Sequence, residues 1–158
     1  AFTTPPCRAA VRLNSGVRSM PILSLLMATS IATSGSFPDS AVVALVKDIG
    51  AGQDGTIFCL RIDGKDPSKA LISKIRATSA SFRPSSECKS KNNAIRHTPT
   101  GKRAAQIWLS DFRLTDKNRA KANISSYAGP LAGGHWSAKL KLVGGVWTVE
   151  ATRNDVIY

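Results

Sequence analysis

The chain has 158 residues, 42% of them apolar and 20% charged, with 22 lysines and arginines against 10 acids and a formal net charge of +12. That apolar content can pack a core, which argues against disorder, and the length leaves room for one ordinary domain. Three cysteines with no CxxC pair and only two histidines argue against a zinc site, and the positive excess favours anionic partners: nucleic acid, lipid head groups or acidic proteins.

The N-terminal stretch reads as a leader. Arg8, Arg12 and Arg18 lie upstream of an apolar run from Met20 to Ser34, and no acid precedes Asp39. A basic region, a short apolar region and a small-residue end make a secretory signal peptide over residues 1–34. The run falls short of the about 20 residues a membrane span needs, so no transmembrane anchor is expected. A buried helix starting at Pro21 is the alternative. Residues 35–158 then form a single α+β domain, secreted or periplasmic, with 19 basic and 10 acidic residues. Removing the leader takes Cys7 with it and leaves Cys59 and Cys88. In an oxidising compartment these two predict a disulfide worth about 3 kcal/mol through loop closure, against the alternative of two buried thiols.

Asp39 or Ser40 is a candidate N-cap for a short helix over 41–49 that stops at Gly50. Thr56 to Ile62 is β-branched and aromatic enough for a strand. Asp66 and Pro67 suggest the cap and first position of a second helix, with Leu71, Ile72 and Ile75 as its apolar stripe. From Thr78 to Arg103 the periodicity disappears, which predicts a long basic connection with one irregular strand pinned by Cys88. Four strands follow, at about 104–114, 120–128, 134–143 and 146–153. The last two close on Gly144-Gly145, a two-residue hairpin loop. That loop sets Val143 against Val146, Leu142 against Trp147, Leu140 against Val149 and Ala138 against Ala151, with Lys139 and Lys141 on the opposite face.

This order predicts two N-terminal helices packed on a curled antiparallel β-meander, cystatin-like or NTF2-like. The run Ile57 to Pro67, then Ser86-Glu87-Cys88, Tyr127 to Gly134 and Gly145 to Val149, resembles a group of small uncharacterised secreted bacterial proteins of that type. The resemblance covers residues 56–153. Ala128 stands where the group carries a second aromatic, and Val156-Ile157-Tyr158 departs from its usual end. It implies secretion and a fold type; it brings no activity, no catalytic residues and no cofactor.

Chemistry is sparse. His97 and His135 are the only near-neutral acid–base groups and could imitate a two-histidine ribonuclease. Asp63 and Asp66 share a turn, and Asp66 already has a structural task as a cap. Asp111, beside Trp108 and Phe112, could act as a general base if it faced a cavity. Trp108 and Tyr127 are the aromatics placed to line a concave sheet face. Lys89, Lys91, Arg96, Lys102 and Arg103 form a basic stretch able to track a phosphate backbone, although no stacking aromatic sits among them. The expected function is an exported, non-catalytic binding or envelope-associated domain, its partner an anionic surface or acidic protein. The alternatives are a small enzyme using the concave sheet face and a binder of nucleic acid or another anionic polymer through the basic 89–103 loop.

Overall fold

A computed structural model describes residues 36–157 except Asp54. The leader therefore lies outside the described residues. Helix α1 (Asp39–Gly50) is followed by strand β1 (Ile57–Ile62), helix α2 (Lys69–Thr78) and the short strand β2 (Phe82–Pro84). A single 3-10 turn leads into the hairpin β3 (Cys88–Lys91) and β4 (Ala94–His97). Four long strands complete the order: β5 (Ala104–Asp116), β6 (Arg119–Gly129), β7 (Ala132–Val143) and β8 (Val146–Ile157).

The architecture overturns the expected two N-terminal helices packed on a curled antiparallel meander. Six strands make one mixed sheet in the order β2-β1-β5-β6-β7-β8, and β3 and β4 make a separate two-stranded sheet. Strand β1 runs parallel to both neighbours, pairing Phe58 with Phe82 and Leu60 with Ile107. Helix α2 follows β1 and forms the crossover to β2, so the two helices are not an N-terminal layer. The physical reason lies in β1 itself. Phe58, Cys59 and Leu60 are all buried, one after another. Successive burial marks a central strand covered on both faces, the habit of parallel strands.

Both helix starts also differ from expectation. Pro38 occupies the cap position of α1, and Asp39 lies within its first turn, where it pairs with Lys74 of α2 at 2.8 Å. In α2 the cap is Ser68, whose hydroxyl accepts from the Leu71 amide at 3.2 Å. Asp66 instead accepts the Ser86 amide, tying the approach to α2 to the 3-10 turn. A carboxylate two residues too early found a more distant donor.

The helices cover one face of the sheet. Ala41, Val42, Leu45 and Val46 of α1 and Leu71, Ile72 and Ile75 of α2 pack with Phe58, Leu60, Ile107, Leu109, Ile124 and Leu140. The closing hairpin follows its expected register through Val143–Val146, Leu142–Trp147 and Leu140–Val149. Gly144 and Gly145 take φ of 57° and 80°, the conformation the loop demands. Leu140 and Trp147 are buried, Leu142 and Val149 half-buried, and Lys139 and Lys141 exposed. Trp147 meets Phe112 edge to face at 5.7 Å. Beyond Leu140 the expected register fails. A bulge at Glu150 sets Ala138 against Thr152, and Ala151 moves opposite Lys139.

The second correction concerns residues 78–103. They hold three short strands rather than one, and β3–β4 is a hairpin turned by Asn92 and Asn93 at φ of 51° and 58°. It packs on the sheet face away from the helices. Cys88 and Ile95 there meet Cys59 and Ala104, with Ile57 and Tyr127 at the margin. The Cys59–Cys88 disulfide holds this contact, its Cα atoms 6.2 Å apart. Gly129 lets the hairpin tip approach, because a Cβ there would sit 2.8 Å from the Asn93 carbonyl oxygen.

Candidate functional site

The core fills the middle of the helix-covered face, and the cavity of about 1060 Å³ beside α1, α2 and β8 is lined by residues such as Val43, Ala44, Trp147 and Val149 but by none of Trp108, Tyr127 and Asp111. Strand alternation sends the outward residues of β5, β6 and β7 to the opposite face. Among the described residues that outer face is covered by the β3–β4 hairpin at one end and is otherwise open.

Cross-strand pairing sets its residues in rows. Arg61, Trp108, Ser125 and His135 make one row, from β1 across to β7. Cys59, Gln106, Tyr127 and Gly133 make the neighbouring one, beneath the hairpin. Trp108, Ser125, Tyr127 and His135, with Leu131 and the glycines 129, 133 and 134, line a pocket of about 370 Å³. Both aromatic candidates thus come together. The His135 ring nitrogen Nδ1 and the Ser125 hydroxyl lie 2.8 Å apart. A hydroxyl against an imidazole is the start of a nucleophilic dyad, but no third group orients this histidine among the described residues.

Asp111 does not join them. It sits exposed at an irregularity in β5, at φ 56°, where its carboxylate accepts from Asn123 Nδ2 at 2.9 Å and pairs with Arg113 at 3.2 Å. Its role is to hold a bulge. His97 is likewise occupied: it is buried with Nε2 3.1 Å from Glu87 and Nδ1 2.8 Å from the Thr100 hydroxyl. It pins the loop after β4, while His135 belongs to the open face. Among the described residues no three His, Cys, Asp or Glu side chains gather to hold a metal.

The five basic candidates of 89–103 are sorted by their hairpin. Lys89 lies directly opposite Arg96, and Arg96 bridges to Arg103. Arg96 is half-buried and donates to the Gly101 carbonyl at 2.9 Å, a structural use. Lys89, Lys91, Lys102 and Arg103 are exposed.

A second basic group was not anticipated. Further along the outer face Arg113, Lys121 and Lys139 stand side by side on three adjacent strands. In the following row Arg119 faces Lys141. Lys121 and Lys139, Arg119 and Lys141 therefore form a square of four cations. Asp116 reaches Arg119 at 3.9 Å, but Lys121, Lys139 and Lys141 have no acidic partner among the described residues. Like charges directly opposite on a sheet, with Cβ atoms about 4.5–5.5 Å apart, destabilise it. The only trace in the sequence is that Arg119, Lys121, Lys139 and Lys141 alternate with small or apolar residues, which any solvated face also shows.

No helix among the described residues is long and apolar enough to cross a membrane. No protein-family model, curated protein or solved structure matches this chain.

Proposed function

We propose that this is an exported, non-catalytic binding domain whose ligand is an anionic polymer held on the outer face of the sheet. The observation that carries it is the square of Arg119, Lys121, Lys139 and Lys141. Three lysines in adjacent positions, with no acidic partner among the described residues, cost the fold stability, and a bound anion removes that cost. The 89–103 hairpin is the lesser contributor, because one of its five cations already serves the loop. Export is supported by the Cys59–Cys88 disulfide, which persists in oxidising compartments.

The test compares two triple variants on a heparin matrix at low salt. Lys121→Glu/Lys139→Glu/Lys141→Glu should elute early with its circular dichroism unchanged, since all three side chains are exposed. Lys89→Glu/Lys91→Glu/Arg103→Glu should lose less. Equal elution of the two variants, or no retention of the wild type, overturns the proposal.

A further inference from the structure

We infer that the polymer is a single-stranded nucleic acid, one base of which stacks in the Trp108 pocket while its phosphates follow the cation rows. This rests on the anionic-polymer reading above and adds to it the chemistry of the repeating unit.

Three features point to a flat ring rather than a sugar. The pocket is lined by an indole, a phenol, a leucine and glycines, with Ser125 and His135 as its main polar side chains. A sugar ring presents hydroxyls all round and needs many partners, whereas a base needs a stacking surface and a few edge contacts. Ser125 and His135 already satisfy each other through Nδ1, which leaves the His135 Nε2 for one such edge contact.

Leu131 is the second feature. It occupies the turn between β6 and β7 after Pro130, at φ 60°, a position that favours glycine or asparagine. It is also 91% exposed. A bulky residue in the left-handed region and an apolar side chain in water are two costs with no folding return, and both fall on the rim of this pocket. A ring sandwiched between Leu131 and Trp108 would bury that apolar surface.

Spacing is the third. Ser125 and Lys121 are four residues apart on the same face of β6, a distance of about 13 Å along the strand. That is roughly the length of four stacked nucleotides at 3.4 Å each. A sheet face combining stacking aromatics with a basic track is a recurrent solution for single strands.

The experiment measures fluorescence anisotropy and tryptophan quenching with an oligothymidylate of about 12 nucleotides, its duplex and a heparin oligosaccharide of similar charge. The oligothymidylate should bind most tightly and quench Trp108. Trp108→Ala should weaken it by about 5- to 150-fold, the range for one lost base stack, and leave heparin unchanged. Trp108→Phe should retain most of the affinity while losing the quench. Leu131→Gly, which relieves the backbone, should hold or raise the melting temperature and still weaken the oligothymidylate several-fold. Equal losses on both polymers, or tighter binding of heparin, overturn the nucleic-acid inference and leave the anionic-polymer reading standing. Binding of neither polymer overturns both.

Discussion

The two faces of the six-stranded sheet are built from the same strands and obey opposite rules. On the helix side β5, β6 and β7 present Ile107, Leu109, Ala120, Ala122, Ile124, Ala138 and Leu140, all buried. On the outer side the intervening positions give Trp108, Ser110, Lys121, Asn123, Ser125, Lys139 and Lys141, none of them fully buried. Apolar burial stabilises the first face by about 25 cal/mol per Å². The second face includes juxtaposed cations, a strained leucine and a half-buried tryptophan, features that burial does not reward. The difference separates what holds this fold together from what it can use.

That contrast can be broken first on the helix side. Trp147→Ala removes a buried indole from the Phe112 contact and should cost about 3–5 kcal/mol. Urea unfolding reads it directly, and an unchanged midpoint would refute the packing of β8 against the core.

The hairpin that covers one end of the outer face is the next target. Replacing Cys59 and Cys88 by serine should cost about 3 kcal/mol, because the unfolded chain is no longer held in a closed loop. It should also raise proteolytic nicking between β3 and β4. Thiol titration of the wild-type domain should find neither cysteine free. Gly129→Ala attacks the same contact from the sheet side, where its Cβ would meet the Asn93 carbonyl and φ is 154°. A loss of about 1–3 kcal/mol is expected. A neutral substitution would show that the hairpin tip does not close on β6.

The smallest effect has the opposite sign. Lys139→Glu places an acid directly beside Lys121, at the end of the row that starts at Arg113, and opposite the exposed Ala151 of β8. It should leave stability unchanged or raise it by about 0.2–1 kcal/mol, while weakening polyanion binding. A variant that loses stability and affinity together would remove the distinction between the two faces.

Different segments were legible to different degrees. The hairpin of β7 and β8 could be registered because apolar alternation and a Gly-Gly loop specify the same pairing. It failed only where a bulge at Glu150 changed the count, and nothing in Glu150-Ala151-Thr152 distinguishes a bulge from continued pairing. The β3–β4 hairpin did leave a signal in Asn92-Asn93, residues that tolerate positive φ. Its flanks, Cys88 to Lys91 and Ala94 to His97, are too short and too polar for periodicity to stand out.

Local chemistry therefore determined the elements whose pattern is repeated: α1, the body of α2, the four long strands and the pairing of two cysteines. Tertiary structure alone decided that β1 lies between β2 and β5, since the apolar run Ile57 to Leu60 suits a strand buried on both faces but does not say which strands flank it. It decided the site for the same reason. Trp108, Ser125 and His135 are 17 and 10 positions apart along the chain and become neighbours only through the register of β5, β6 and β7. The four cations arise likewise, because Arg119 and Lys121 are set opposite Lys141 and Lys139 by the turn at Pro130 and Leu131. Charge along a sequence is a sum; charge on a surface is an arrangement, and cross-strand pairing supplies it.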